Sequence, residues 1–490
     1  MKKINYGLLA IGILLVSLSV WQIQLAFRGI EIIRLSPGNL PVTVFLSRGI
    51  DQGERSTILV GHGFAGSSVI MHGFALTLAH AGYNVVAWDF DGHGANPNSL
   101  GSSIQRDELV QNAEQALEEA VRQRLVSGER VAILGHSMGS GVALAYGQLH
   151  PETAATITVS PVSREVSPNL PRNLLLMAGT QEPSFLDTAR RLLAQAGGEN
   201  NNFDQGLARR LVTIPQANHL TILFSGTAQK SALEWVNDVF GEQPGANPYI
   251  DHRILWFFLG VIGTLSGAVG LAGIIQKGLP YIPPQRPVWI RLAAMTTGVF
   301  VATLFLWLLS SIGLELTGVF GLRVGGYLMV WFAIAGVAGL VVLRVRPIDL
   351  SLRHLLGGTL TFAALWLGIG LLGHLVWQPW LMILPRLVLW PLAILCLIPW
   401  YLVVGELVRG AGWLGQIAAW VAHSALLLGG LLLAMRLTPG IGFLILIMPV
   451  FPAFFGLHAL ASGPYRGGWP FALSGALFTS WMLLVVFPLS

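Results

Sequence analysis

The stretch GHSMG, residues 135–139, has the residue types and spacing of a serine nucleophile. An apolar, strand-like run at Arg130–Leu134 precedes it, and a helix-like run rich in small residues follows it. A serine on such a sharp turn takes a strained backbone conformation, and glycines two positions before and after it remove side chains that would collide. The pattern therefore predicts that Ser137 attacks a carbonyl carbon. The alternative is a small residue in a turn of a chain that contains 58 glycines.

A nucleophile of this kind needs backbone N–H donors for the negative charge that develops on the carbonyl oxygen. The Met138 N–H, at the start of the predicted helix, is one such donor. The apolar strand before residue 62 leads into His62-Gly63-Phe64, where glycine permits a close backbone approach. We expect the Phe64 N–H to be the second donor, and we interpret His62 as a residue that shapes this loop.

The order of three motifs resembles the α/β-hydrolase fold, and most of all its branch of lipases, esterases and serine-aminopeptidase-like enzymes. The HG loop at residues 62–63 is followed by DFDGHG at 89–94 and by GHSMG at 135–139. The resemblance covers nearly all of residues 29–250 and none of the later apolar runs. Asp91 stands where this branch often has arginine, and the resemblance gives Asp89 and His93 a structural role.

The resemblance also implies a carboxylate and a histidine, in the chain order nucleophile, acid, histidine. The acid of the family usually follows a late strand in a G-x-x-D turn. GTQE at residues 179–182 places Glu182 there, with Asp187 as the alternative acid. His219, in the loop after the last predicted strand, corresponds to the general base. The family chemistry is then an acyl-enzyme on Ser137 that water hydrolyses, with no metal and no organic cofactor.

Residues 29–250 alternate short apolar runs with amphipathic stretches, which predicts an α/β fold with a mostly parallel sheet. Only residues 161–172 separate two predicted strands where many members of the family insert a cap, so we expect a short or absent cap. The predicted strands are Val42–Leu46, Ser56–Val60, Asn84–Asp89, Arg130–Leu134, Ala155–Val159, Asn173–Met177 and Leu211–Ile214. The predicted helices cover residues 70–81, 107–126, 139–149, 184–197 and 226–240.

The remainder of the chain is apolar. A run from Ile4 to Phe27 follows two lysines and predicts an uncleaved signal anchor rather than a cleaved signal peptide. We therefore expect three domains: an N-terminal transmembrane anchor at 1–28, an α/β-hydrolase domain at 29–250, and an all-α multi-pass transmembrane domain of about eight spans at 251–490. The predicted spans of the last domain lie near residues 254–276, 292–314, 324–343, 354–377, 380–405, 412–435, 437–460 and 469–489.

The distribution of positive charge predicts the orientation, because cytoplasmic loops of membrane proteins are rich in lysine and arginine. With a cytoplasmic N-terminus, the short outside connections hold Arg253, Arg323, Arg386 and Arg436. The inside loops then hold Lys2, Lys3, Lys277, Arg286, Arg291, Arg344, Arg346, Arg353, Arg409 and Arg466. This orientation places residues 29–250 on the extracytoplasmic side of the cell membrane.

The sequence thus predicts a membrane-bound serine hydrolase that cleaves a carboxylic ester, with an amide or an acylated lipid as other substrates. Transfer of the acyl group to an acceptor other than water is an alternative. Another is a transporter or lipid-handling protein with a hydrolase-like binding domain, whose path polar residues inside the membrane would mark. Candidates for that path are His374, Arg386, Glu406, His423 and His458.

The amino-acid composition limits the kinds of binding partner that we expect. The sequence contains no basic run with interleaved aromatic residues, which is the pattern that would indicate nucleic acid binding. The single cysteine, Cys396, lies in an apolar run outside residues 29–250. Because residues 29–250 contain no cysteine, disulfides and cysteine-based metal sites are excluded there. The expected partners are a small-molecule or lipid ester and the membrane lipids, and the sequence identifies no protein partner.

Overall fold

The computed structural model describes residues 2–48, 55–101, 106–275, 286–344, 350–438, 440–465 and 467–490. Lys277, Arg346 and Arg466, which entered the prediction of orientation, lie outside these residues. The chain divides into two units. The α/β unit comprises Trp21–Phe257, His374–Leu381 and Pro488–Ser490. The helical unit comprises Met1–Val20, Phe258–Gly373 and Met382–Phe487.

An eight-stranded sheet forms the centre of the α/β unit, in the order β1-β2-β4-β3-β5-β6-β7-β8. The pairs β1–β2 and β2–β4 are antiparallel, and the other pairs are parallel. The predicted α/β fold with a mostly parallel sheet is confirmed. The strands are β1 (Ile30–Leu35), β2 (Val42–Ser47), β3 (Thr57–Gly61), β4 (Asn84–Trp88), β5 (Val131–His136), β6 (Ala155–Val159), β7 (Leu174–Gly179) and β8 (Arg209–Ile214).

The edge strand β1 is missing from the sequence prediction. It pairs along its whole length with β2, from Ile30 opposite Ser47 to Leu35 opposite Val42. Only Ile30 of its residues is buried, whereas every residue of β3, β5 and β7 is buried. Strands buried on both faces give continuous apolar runs, and a half-exposed edge strand does not.

Helices cover both faces of the sheet, and their apolar stripes form the core with it. In α3 the buried residues Leu109, Ala113, Ala116 and Ala120 recur at helical spacing. Residues 160–173, between β6 and β7, contain no helix, so the expectation of a short or absent cap is confirmed there. After the N-terminal helix α1 (Lys2–Leu25), the helices that flank the sheet are α2 (His72–His80), α3 (Arg106–Arg122), α4 (Met138–Leu149), α5 (Pro183–Gln195) and α6 (Gly226–Phe240).

Residues late in the chain complete the α/β unit. The Leu489 amide donates a hydrogen bond to the Gly92 carbonyl (2.9 Å), and the Leu489 carbonyl accepts one from the Leu100 amide (3.0 Å). Leu489 is therefore paired, like a residue of a short strand, with the turn that begins at Asp89.

The helical unit consists of apolar helices. Within the described ranges, eight helices are long and apolar enough to cross a membrane, counting α1 and counting α10 and α11 as the single run Leu352–Val376. The helices after α6 are α7 (Arg253–Ile275), α8 (Val288–Ser311), α9 (Gly325–Leu343), α10 (Leu352–Leu365), α11 (Leu371–Val376), α12 (Leu384–Val408), α13 (Trp413–Leu437), α14 (Leu444–Ile447), α15 (Val450–Ser462) and α16 (Trp469–Val486).

Of the predicted spans that contain prolines, two differ in outcome. The 380–405 run forms the 25-residue helix α12 although Pro391 and Pro399 lie inside it. The 437–460 run does not form one long helix but the short helices α14 and α15, of 4 and 13 residues, with Pro449 between them. Gly440, at φ +89°, and Pro449 interrupt the backbone hydrogen bonds that a continuous helix would need.

Glycines let α1 approach α7 closely. A Cβ atom on Gly12 would lie 2.6 Å from the carbonyl oxygen of Gly263 and from the amide nitrogen of Gly267, so no larger residue fits without a shift. The Ser266 hydroxyl also donates to the Leu8 carbonyl (3.0 Å). Such contacts between small residues are the usual means of helix association in a bilayer.

Candidate active site

Ser137 lies on the turn between β5 and α4, with φ 52° and ψ −115°. This left-handed conformation is costly for a residue other than glycine and is retained mainly where surrounding contacts enforce it. A Cβ on Gly135 would collide with the Gly139 carbonyl, and one on Gly139 would lie 2.6 Å from the Gly61 carbonyl oxygen. The glycine spacing is thus required by close backbone packing around the serine.

Two hydrogen bonds join Ser137, His219 and Glu182. His219, in the loop after β8, has its Nε2 at 3.0 Å from Ser137 Oγ and its Nδ1 at 3.0 Å from Glu182 Oε2. The three side chains are nearly inaccessible to solvent, at 9%, 8% and 5% exposure respectively. Because a carboxylate only accepts, Nδ1 carries the proton and Nε2 is left to accept from the serine hydroxyl.

The Glu182 carboxylate has two further donors. Its Oε1 accepts from the Gly179 amide at the end of β7 (2.7 Å) and from the Ser160 hydroxyl (2.7 Å). Asp187, the alternative acid, forms an ion pair with Arg190 (3.0 Å) in which both side chains are more than half exposed. The structure therefore places Glu182 beside His219 and Asp187 in solvent.

Two rings flank the His219 imidazole. Phe185 stacks on it with the centroids 4.2 Å apart, and His136 lies at 4.8 Å. The His136 Nε2 also lies 3.1 Å from the His219 carbonyl oxygen and donates to it. Burial, followed by the proximity of His219, holds the pKa of His136 well below its usual value, so this ring is a neutral donor.

The loop that carries Phe64 lies directly against the nucleophile. A Cβ on Gly63 would be 2.8 Å from His136 Nδ1 and 3.2 Å from Ser137 Cβ. The following Ala65 has φ 59°, which turns the backbone sharply. Met138 is the first residue of α4, and the first amides of a helix have no carbonyl partner within it. Both predicted donors thus belong to segments that adjoin Ser137.

His62, Asp89 and His93 form the support of this loop. Phe90 N–H donates to His62 Nε2 (3.0 Å), and His62 Nδ1 donates to the Gly63 carbonyl (2.8 Å). Burial lowers the pKa of His62 although the Asp89 charge opposes this. The Asp89 carboxylate accepts from two backbone amides, and His93 Nδ1 donates to a backbone carbonyl (2.9 Å). Both ring nitrogens of His62 are thus occupied by the backbone, as its structural interpretation requires.

Asp91, which departs from the family pattern, organises the next turn. Its carboxylate accepts from the side-chain amides of Asn96 (3.0 Å), Asn98 (3.0 Å) and Asn112 (3.3 Å). The three asparagines are the partners of the carboxylate at this position, and no motif of the sequence marks them.

Three neighbours of the site were also missed: Ser160, Phe185 and His136 in its role as a donor. His136 belongs to the GHSMG motif, so its position was a signal for its proximity to Ser137. Ser160 and Phe185 belong to no motif, and only the fold brings them to Glu182 and His219. Within the described part of the chain, no group of three or more His, Cys, Asp or Glu side chains could hold a metal ion.

Comparisons with known proteins agree with this architecture. Residues 52–200 match the family model described as serine aminopeptidase, S33. No curated protein sequence matches the chain significantly.

Several solved structures are similar to somewhat less than half of this chain. A predicted CIB-like hydrolase of Thermoplasma acidophilum is 18% identical, over 43% of this chain and 98% of its own, with a TM-score of 0.34. A bacterial membrane phospholipase A is 15% identical, over 47% of this chain and 92% of its own, with a TM-score of 0.34. A hormone-sensitive lipase from a metagenome library is 18% identical, over 46% of this chain and 92% of its own, with a TM-score of 0.33.

The family match begins before β3 and continues beyond α5, so it spans both the Phe64 loop and the Ser137 turn. The sheet in this region is parallel and mostly buried, as the fold of the family requires. The α/β unit therefore has an α/β-hydrolase fold, and residues 52–200 within it are similar to the serine aminopeptidase family S33.

Proposed function

We propose that this protein is a membrane-bound serine hydrolase that cleaves a carboxylic ester through Ser137, Glu182 and His219. The observation that carries the proposal is the continuous line of hydrogen bonds from Ser137 Oγ through both nitrogens of His219 to Glu182, with each of its two distances at 3.0 Å. Nucleophile, base and carboxylate within hydrogen-bonding reach are the arrangement that activates a serine hydroxyl.

The reaction has two halves. His219 Nε2 takes the hydroxyl proton while Ser137 Oγ bonds to the ester carbonyl carbon, and the same proton then passes to the departing alcohol as the carbon–oxygen bond breaks. Water attacks the resulting acyl-serine, with His219 again taking and returning a proton, and the carboxylic acid leaves. Glu182 keeps the imidazole oriented and stabilises its positive charge in both halves.

The tetrahedral intermediates carry a negative oxygen. The Met138 and Phe64 amides are proposed to hold it, because both segments adjoin Ser137 and a helix N-terminus favours negative charge. These donors belong to the backbone, so side-chain substitutions at 138 and 64 would leave them in place.

A lipid ester is a suitable substrate for a hydrolase attached to a membrane. The connection at 160–173 contains no helix that would cap the site, and eight helices among the described residues are long and apolar enough to cross a bilayer. Amide cleavage and acyl transfer to another acceptor use the same acyl-enzyme, so product analysis must distinguish them.

The proposed localisation is a multi-pass protein of the cell membrane with a cytoplasmic N-terminus. Its proposed domains are the anchor at 1–28, the extracytoplasmic hydrolase at 29–250 and the transmembrane domain at 251–490. The close packing of α1 on α7 supports an anchor that is retained. Protease added to intact cells should digest residues 29–250, and protection of this segment in intact but not in opened cells would reverse the orientation.

A fluorophosphonate probe tests the enzymatic proposal, because it reacts covalently with an activated serine. Membranes that contain the wild-type protein should be labelled, and Ser137→Ala should remove the labelling while expression is unchanged. Ser140→Ala is the matched control, because the Ser140 hydroxyl donates to the Ser137 carbonyl rather than to His219. Folded wild-type protein without Ser137-dependent labelling would refute the proposal.

A further inference from the structure

Ser160 is a second serine with a left-handed backbone, at φ 52°, directly after the strand next to that of Ser137. Its amide donates to the Met177 carbonyl (2.8 Å), which extends the pairing of β6 and β7 by one residue. The residue is completely buried, and its Oγ donates to Glu182 Oε1 at 2.7 Å.

Glycine would take this backbone conformation without strain, whereas the conformation is costly for a serine. The conformation of the turn therefore does not explain the serine, and a hydrogen bond of its hydroxyl does. A hydrogen bond to a buried carboxylate is worth more than one between neutral groups and more than offsets such a cost.

The hydroxyl acts on the oxygen of Glu182 that His219 does not use. Oε1 accepts from Ser160 Oγ and the Gly179 amide, while Oε2 faces His219 Nδ1. Glutamate has one more rotatable bond than aspartate, and two donors on Oε1 remove the freedom that this bond adds. Ser160, after β6, and Gly179, at the end of β7, thus together fix the orientation of Oε2, and with it that of the imidazole.

We propose that Ser160 is a positioning residue for hydrolysis, which holds the Glu182 carboxylate in the orientation that aligns His219 with Ser137. This inference rests on the proposed function. It adds a fourth side chain to the line of hydrogen bonds, so that the line starts directly after β6 and ends at the nucleophile directly after β5.

The test uses the full-length protein in detergent, with hydrolysis of a p-nitrophenyl ester as the assay. Ser160→Ala and Ser160→Gly both remove the hydroxyl, and glycine also relieves the left-handed strain. Both should lower kcat about tenfold and leave KM within about twofold, since the bond acts on proton transfer rather than on ester binding. Ser160→Gly should melt at or above the temperature of Ser160→Ala, so loss of activity would not follow loss of stability.

Ser167→Ala is the matched control. It lies in the same connection between β6 and β7, but its hydroxyl is exposed and bonds only within its own turn. This variant should keep the wild-type kcat.

A double variant tests whether Ser160 acts through Glu182. In a Glu182→Gln background, Ser160→Ala should cause less than a twofold further loss, because the carboxylate that it positions is gone. A wild-type kcat in Ser160→Ala, or a full tenfold further loss in the Glu182→Gln background, would overturn the inference alone. Absence of Ser137-dependent hydrolysis in the wild type would overturn both the inference and the proposed function.

Discussion

Both units of the molecule bury polar side chains, but they arrange them differently. In the α/β unit, Ser160, Glu182, His219 and Ser137 form one continuous line of hydrogen bonds that ends at a single oxygen. They come from the ends of neighbouring parallel strands or the loops after them, where an α/β sheet brings distant parts of the chain together.

In the helical unit, several buried polar side chains form separate pairs that each join two elements. One charged cluster is an exception: Arg409 pairs with Glu406, and Arg291 donates to the Glu406 carbonyl. The bonded pairs are Trp331–Thr303 (3.0 Å), Trp390–Ser480 (3.0 Å), Trp400–His423 (3.1 Å), Tyr401–Thr479 and His458–Ser474 (2.9 Å). Pairs of this kind hold helices together in a bilayer. The proposed reactive centre differs from these pairs because its four side chains form one line that ends at the Ser137 hydroxyl.

The largest loss of activity is expected for substitution of His219, which hydrogen-bonds to two other residues of the line. His219→Gln should reduce kcat/KM by about 10⁴- to 10⁶-fold, because it removes the ring nitrogen that lies 3.0 Å from Ser137 Oγ and is proposed to take its proton. The rate of ester hydrolysis by purified protein is the measurement, with circular dichroism to show that the fold is kept. A variant that retains a tenth of the wild-type rate would show that the line is not the reactive centre.

The next effect distinguishes the two carboxylates. Glu182→Gln should lower kcat about 10³- to 10⁴-fold, since the amide cannot stabilise the imidazolium. Asp187→Asn, in which only an exposed ion pair is lost, should stay within twofold of wild type. The reverse result would assign the acid to Asp187.

A smaller effect concerns His72, a half-buried residue of the α/β unit outside the line whose ring nitrogens are buried. Its ring packs against Phe45 at 5.1 Å, and its nitrogens, where the chain is described, are buried without a hydrogen-bonding partner. Burial, together with Arg253, lowers its pKa to about 3, although Asp251 opposes this.

The unfolded chain therefore binds a proton at residue 72 between pH 6.5 and about 3, and the folded chain does not. The free energy of unfolding should therefore decrease as the pH decreases through this window, and at pH 5 it should be lower than at pH 7 by up to about 2 kcal/mol. His72→Phe should remove this part of the pH dependence, measured as the difference in melting temperature between pH 7 and pH 5. An unchanged difference would mean that His72 is protonated or exposed in the folded protein.

The smallest effect is expected in the helical unit. His423 accepts from Trp400 Nε1, and its ring stacks on Phe455 at 4.3 Å. His423→Phe should cost about 0.5–1.5 kcal/mol of stability and leave ester hydrolysis within twofold, because it removes one pair between two helices. A tenfold loss of hydrolysis in folded protein would end the contrast between the units and give His423 a role in the reaction.

The sequence predicts well what repeats along the chain. The continuous apolar runs of β3 to β7 and the helical spacing of α3 identified most of the α/β fold, because burial on a regular element leaves a periodic pattern. The edge strand β1 and the broken 437–460 run escaped this reasoning. The first has little buried surface, and proline and glycine divide the second into short helices.

Only those site residues were predictable that lie in a motif or follow from the chain order of the family. Ser137 has a motif, and the family order leads to Glu182 and His219. Ser160 and Phe185 contact these residues through the fold, at positions where a serine or a phenylalanine carries no local signal. The choice of Glu182 over Asp187 likewise required the distance to His219 and the exposure of the other carboxylate.

Leu489 has a practical consequence for anyone who expresses the hydrolase alone. A fragment that stops near residue 250 would lack the backbone partner of Gly92 and Leu100, in the turn whose His93 ring lies 5.4 Å from that of Phe64. A peptide of the last residues, or a linker that returns them to this turn, would restore the missing pairing.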